Sequence, residues 1–233
     1  MTDRDLALLT LGEVELVGQF ARSSNATFLV RLTHGDEVAQ AVYKPEAGEQ
    51  PLSDFDPGLY KRERAAYLLS EALGWGMVPP TVIREDAPLG VGSLQSFIDC
   101  DFRQHYFTLA AEDPSTHPEL ARMALFDFIS NNTDRKSGHV LRGGDGRIWG
   151  IDHGLCFSAA FKLRTVIWDF AGEAIPDGLL ADIAPLAEAV PEELAGLLDD
   201  DENAALKRRA RRILQDGTLP VDLTGSRYPW PLV

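Results

Sequence analysis

Residues 131–141 read NNTDRKSGHVL, and residues 148–157 read IWGIDHGLCF. The first is a polar loop that follows a helical stretch from Pro118 to Ser130. The second is a β-rich run that ends in Asp152-His153-Gly154. Well upstream, Lys44 closes a third β-rich run in AVYKPE. Taken singly, each piece has a plain structural reading: a surface lysine, a loop ion pair, a turn after a strand. Together they match the demands of phosphoryl transfer, which needs positive charge on phosphates, a carboxylate for a divalent metal, and a carboxylate beside the attacking hydroxyl. Asp134 sits in a loop carried by a helix, Asp152 projects past a strand end, and His139 follows Asp134 by five residues.

The surrounding pattern organises the chain. Residues 14–20, 27–33 and 37–43 form short β-rich runs, separated by Ser23-Ser24-Asn25 and by His34-Gly35-Asp36, which predicts a three-stranded antiparallel meander. Residues 59–73 (LYKRERAAYLLSEAL) carry apolar side chains at helical spacing and stop at Gly74 and Gly76. Pro79–Ile83 and Ser93–Ile98 read as two more strands. Beyond residue 99 the chain turns helical, with a hairpin around Gly143-Gly144-Asp145-Gly146 and helices across 177–215. The reading is an α+β chain, with residues 1–98 as a β-rich part with one helix and residues 99–233 as a mostly helical part.

Composition narrows the class. The chain has 233 residues, 45% hydrophobic and 25% charged, enough apolar material for a full core without a metal or disulfide staple. Its 36 acidic against 22 basic residues give a net charge of -14, which repels nucleic acid and anionic lipid. One basic cluster, Lys207, Arg208, Arg209, Arg211 and Arg212, follows the acidic run 199–202 and reads as a charged helix face. Cys100 and Cys156 lack metal-ligand spacing. No stretch approaches the roughly 20 apolar residues of a membrane span, and the acidic N-terminal sequence is unlike a signal peptide, so a cytoplasmic protein without a membrane anchor is expected.

At these residues the chain resembles the phosphatidylinositol 3-/4-kinase-like superfamily, in particular the type II phosphatidylinositol 4-kinases and their bacterial relatives, and an actinobacterial family of uncharacterised kinase-like proteins. The resemblance spans about residues 18–158. It implies a two-lobed protein-kinase-like fold, ATP, and Mg2+ or Mn2+. It assigns Ser23 and Ser24 to capping the phosphates, with Asn25 in the same nucleotide loop. Lys44 binds the α- and β-phosphates, Glu63 orients Lys44, and Leu94, Gln95 and Phe97 form the adenine hinge. Asp134 is the catalytic aspartate, supported by Arg135, and Asp152 holds the metal. His139 stands where the family has a metal-binding Asn, which predicts a second, nitrogen-containing metal position that suits manganese. The cysteine-rich membrane insert of the type II lipid kinases has no counterpart, since residues 45–57 are acidic and lack cysteine. The expected acceptor is therefore a protein or a small hydroxyl compound. A non-catalytic ATP-binding pseudokinase, favoured by His139, and an AMP transferase are the alternatives.

Overall fold

The computed structural model describes residues 3–21 and 23–233, apart from the side chain of Asp3. Helix α1 (Asp3–Leu11) precedes a five-stranded antiparallel sheet made of β1 (Glu13–Gln19), β2 (Phe28–His34), β3 (Glu37–Pro45), β4 (Thr81–Arg84) and β5 (Gly92–Ser96). The order is β1-β2-β3-β5-β4, with helix α2 (Leu59–Ala72) between β3 and β4 in sequence. The expected meander and helix are present. Helix α1 was not anticipated. Its Leu8 and Leu9 pack with Val30, Leu32, Ala41, Tyr43, Val82 and Leu94 into the small lobe's core. The guanidinium of Arg84 donates to the carbonyls of Leu9 and Gly12, at 3.1 and 3.0 Å, and so caps that helix end.

Lys44 gets its direction from the strand period. Ala41 and Tyr43 of β3 point into the core, so Lys44 points to the opposite face. Its backbone lies against Gly92 of β5 so tightly that a Cβ there would come within 2.4 Å of the Lys44 carbonyl oxygen. Glycine is what lets β5 approach at this point. Helix α2 is started by Glu49, whose carboxylate accepts the N–H groups of Gly58 and Tyr60 at 2.8 and 3.2 Å. The acidic loop after β3 thus seats the helix that carries Glu63.

The second lobe comprises α3 (Tyr106–Glu112), α4 (His117–Ser130), the hairpin β6 (Val140–Arg142) and β7 (Ile148–Gly150), then α5 (Asp177–Glu188), α6 (Glu192–Ala195) and α7 (Asp200–Asp216). Leu120, Met123, Leu125, Phe126 and Ile129 of α4 pack against Ile183, Leu186, Leu206, Ala210 and Ile213. The acidic run before the basic cluster is a helix start. Asp199 Oδ1 accepts from Glu202 N at 2.7 Å, Glu202 Oε2 accepts from Asp199 N at 3.2 Å, and acids fill the positive end of α7. The basic cluster is only partly the solvated face expected, since Arg209 is turned inward and buried. The lobes are tied through Arg62 of α2, which donates to the Cys156 carbonyl at 2.7 Å and pairs with Glu202 of α7 at 2.6 Å. Among the described residues no helix is long and apolar enough to cross a membrane.

Candidate active site

Three separated pieces of sequence meet between the lobes. Lys44 from β3 is ion-paired to Glu63 from α2 and, at 2.8 Å, to Asp152 Oδ1 from the segment after β7. Burial alone would discharge the amine, but Asp152 and Glu63 outweigh it and hold its pKa above the ordinary lysine value. Lys44 in turn holds the Asp152 carboxyl well below the usual carboxylate range, against the opposing effect of burial. Both groups are therefore charged at neutral pH.

Glu63 does more than orient the lysine. It is buried, and its two oxygens accept the N–H groups of His153 (3.0 Å) and Gly154 (3.1 Å). Those donors are presented because Asp152 itself sits at φ 61°, a left-handed conformation rare for a residue with a side chain. Such a conformation costs on the order of 1–3 kcal/mol and persists only where the surroundings enforce it. Here the enforcement is one carboxylate receiving two successive backbone N–H groups. The turn that aims Asp152 at Lys44 is thus fastened to α2.

The loop that bears Asp134 is fastened to α4. Arg135 is fully buried and lies in a bidentate pair with the fully buried Asp127, with Nε and Nη2 2.9–3.0 Å from the carboxylate oxygens. Asn132 Nδ2 and Thr165 Oγ1 donate to the same carboxylate at 3.0 and 3.1 Å. The remaining Arg135 donors reach the carbonyls of His139 and Ile151, at 3.1 and 2.9 Å, and His153 Nε2 at 2.7 Å. Arginine has no acceptor to offer, so His153 Nε2 accepts and its proton sits on Nδ1, which is buried without a partner. Arg135, grouped with the catalytic Asp134 from the sequence as the support of its loop, does not face the cleft: it is a buried strut joining α4, the Asp134 loop and the Asp152 turn. Asp127 and His153 complete that strut and were missed. The legible signal was Asp127 itself, an acid within the apolar run LFDFI of α4.

Asp134 receives the Lys136 ammonium at 3.0 Å and keeps its backbone N–H on Asn132 Oδ1 at 3.0 Å. Burial raises its carboxyl, with Lys136 pulling in the other direction.

His139, expected from the sequence as a metal ligand, lies beside the other such residue, Asp152. His139 Nδ1 accepts from Lys136 N–H at 3.4 Å, so the neutral ring carries its proton on Nε2, which faces Asp152 Oδ2 at 3.3 Å. The ring is neutral because burial pulls its pKa down to about 4. The neutral ring thus stands against Asp152. Among the described residues no three His, Cys, Asp or Glu side chains form a ready-made metal cage. A magnesium-type site built from one or two carboxylates plus substrate phosphates needs none.

The first part of the expected hinge is corrected. Leu94 and Gln95 lie inside β5, opposite Tyr43 and Val42 on one side and Val82 and Thr81 on the other. Their backbone groups serve the sheet, and the Gln95 side chain donates to Thr81 Oγ1 at 2.8 Å, so neither is free for an adenine. The sheet ends at Ser96; Phe97 N–H still reaches Gln40 O at 3.2 Å, and the free backbone begins after it. In the β1–β2 loop, Ser24 is exposed, Ser23 Oγ meets Thr27 Oγ1 at 2.9 Å, and Asn25 Oδ1 accepts from Gln50 N–H at 2.8 Å. Asn25 is thus spent on bracing the loop.

With this geometry in view, the relatives can be placed. The chain is 40% identical to protein Rv2133c of Mycobacterium tuberculosis (strain ATCC 25618 / H37Rv), across 99% of its own length and 96% of that protein. It belongs to the Rv2133c family. No family profile matches the sequence. Similarity extends to phosphatidylinositol 4-kinase gamma 4 of Oryza sativa subsp. japonica (30% identity over 57% of this chain) and gamma 2 of Arabidopsis thaliana (28% over 72%). This chain spans only 27% and 38% of those two plant proteins. Among solved structures, the Golgi casein kinase with Mn/ADP bound superposes over the whole chain and 81% of that protein, with TM-score 0.61 and 14% identity. Hydra Fam20 with sugar gives 0.58 and 13% over 92% and 88% of the two chains. The Helicobacter pylori proinflammatory kinase CtkA gives 0.52 and 11% over 91% and 94%. The fold of this member of the Rv2133c family is kinase-like.

Proposed function

We propose that this member of the Rv2133c family is an ATP-dependent phosphotransferase of the phosphatidylinositol 3-/4-kinase-like group, working in the cytoplasm on a protein or a small hydroxyl compound. The observation that carries the reading is the Lys44 ammonium held between Glu63 and Asp152, with Glu63 also fastening the Asp152 turn. Three elements distant in sequence converge there at ion-pair distance, which a merely structural lysine does not need. In this reading Lys44 neutralises nucleotide phosphates, and Asp134 accepts the proton of an acceptor hydroxyl. Asp152 is the carboxylate that would hold Mg2+ or Mn2+, on the turn that Glu63 fastens. When bound, the metal supplies further positive charge to the phosphates. The kinase-like fold and the Mn/ADP complex of a structural neighbour support the nucleotide and the metal class.

A second reading is a pseudokinase that binds ATP without transfer. It is favoured by the engagement of both Asp152 oxygens, by Lys44 and by His139. Purified protein incubated with ATP and either metal, then analysed by mass spectrometry with candidate acceptors, separates phosphate transfer, AMP transfer and silence. Asp152→Asn should lose the metal-dependent rise in melting temperature that ATP gives, while Asp134→Asn should keep that rise and lose transfer. Equal loss of nucleotide binding in both variants would overturn the assignment of roles.

A further inference from the structure

We propose, on the reading that Asp134 takes the proton of an acceptor hydroxyl, that the acceptor is a serine or threonine in an acidic peptide segment, with a carboxylate of that segment seated on Arg164. The placement follows from a short parallel pairing. Arg135 bridges Thr165, with Arg135 N–H on Arg164 O at 3.1 Å, Val166 N–H on Arg135 O at 3.1 Å and Arg164 N–H on Asn132 O at 2.9 Å. Arg135 and Thr165 both point inward, to the same Asp127 carboxylate. In extended backbone successive side chains point to opposite sides, and partners across a parallel pair share a side. Asp134 and Arg164 therefore share the outward side, Asp134 half-buried and Arg164 exposed. Lys162 falls on that side too, since Leu163 between them is buried.

These residues open onto a cavity of about 290 Å3 lined by Phe161, Lys162, Arg164, Thr224, Ser226 and Arg227, among others. Arg227 is brought there by its carbonyl, which accepts Thr165 N–H at 3.1 Å and the Trp168 indole N–H at 3.2 Å. Its guanidinium stacks on Phe161, 4.8 Å from the ring centroid. Cations thus gather at one cavity of a chain whose net charge is -14. Two carboxylates stand near, and both are engaged. Asp54 pairs with Lys162 at 3.2 Å. Asp222 faces Arg227 Nε at 3.7 Å and accepts the backbone N–H groups of Thr224 and Arg227, at 2.9 Å each, and Thr224 Oγ1 at 2.6 Å. Among the described residues no carboxylate pairs with Arg164, so its planar, paired donors are open to one. Leu223, Tyr228 and Trp230 of the same C-terminal stretch are exposed, a rim that suits an extended peptide over a small enclosed ligand. Such a peptide covers about 3.3–3.6 Å per residue, so an acid within roughly three residues of the hydroxyl reaches Arg164. In the transfer the acceptor oxygen bonds to the γ-phosphorus as the bridging P–O bond breaks. ADP leaves with that electron pair, and the hydroxyl proton passes to Asp134.

The test gives the full chain ATP and manganese with three serine peptides of one length, whose residues flanking the serine are glutamate, glutamine or lysine. Phosphate transfer is followed by mass spectrometry. kcat/KM for the glutamate peptide should exceed that for the glutamine peptide about tenfold, and the excess should shrink as salt is raised. Arg164→Glu should erase that ratio and favour the lysine peptide. Arg208→Glu, the same change of charge on α7 outside the cavity, should keep it. A ratio near one in the wild type, or a ratio that Arg164→Glu keeps, would overturn the proposal. So would transfer to no peptide by a protein whose melting temperature ATP and manganese still raise. Absence of that rise would instead sink the nucleotide reading itself, and the proposal with it.

Discussion

Replacing Glu63 with Gln tests the central arrangement with little change of shape. The wild-type carboxylate accepts from His153 N–H and Gly154 N–H, at 3.0 and 3.1 Å, and pairs with Lys44. The amide keeps one acceptor oxygen but turns an NH2 group toward the other backbone donor. One charge-assisted hydrogen bond is lost and another is weakened, each contributing roughly 1.5–3 kcal/mol, so a net loss of about 2–4 kcal/mol is expected. The left-handed Asp152 backbone is then less firmly enforced. For a chain of this size that corresponds to a fall in melting temperature of roughly 5–15 °C. Lys44 keeps Asp152 but loses its second anchor, so the metal-dependent stabilisation by ATP should also shrink. Urea unfolding followed by circular dichroism, with and without manganese and ATP, reads both effects. A variant within about 0.5 kcal/mol of wild type, with a normal response to ATP, would show that Glu63 does not hold the Asp152 turn.

Asp127→Asn leaves the wholly buried Arg135 charge without its carboxylate and should destabilise by about 3–5 kcal/mol in urea unfolding; a loss under 1 kcal/mol would mean that Arg135 is not the strut described. Acid should weaken the metal-free protein in a defined window. Burial pulls His139 to about 4 and His153 well below its ordinary value. Protons therefore bind the unfolded chain more readily, stability is full above about pH 6.5, and it falls as pH drops toward 4. His139 alone should account for about 2 kcal/mol between pH 7 and pH 5. His139→Asn should flatten that part of the profile, and an unchanged profile in the variant would refute the burial argument.

The parts of the site legible in the sequence were those carried by local rules. Alternating β-rich runs and turn residues placed Lys44 at a strand end. Helical spacing in 59–73 placed Glu63 on a helix, and the order of the Asp134 loop and the Asp152 strand end suggested phosphate chemistry. Helix α1 escaped because nine residues with a few leucines carry no period strong enough to be read. The hinge was set too early because strand ends are fixed by ladder partners: β5 runs to Ser96 only because β3 and β4 pair with it.

The sequence by itself therefore determined the α+β order, the strand lysine, the glutamate helix and the two aspartate loops, because spacing along the chain encodes them. Tertiary structure decided which groups those residues answer to. Glu63 reaches backbone N–H groups 90 and 91 residues away. His139 is brought within 3.3 Å of Asp152, with the Lys136 N–H on its other ring nitrogen. Arg135 turned inward to Asp127, and Arg209 turned inward from an apparent solvated face. Hydrogen-bond roles, burial and pKa are properties of neighbours, and distant segments become neighbours only when the lobes pack.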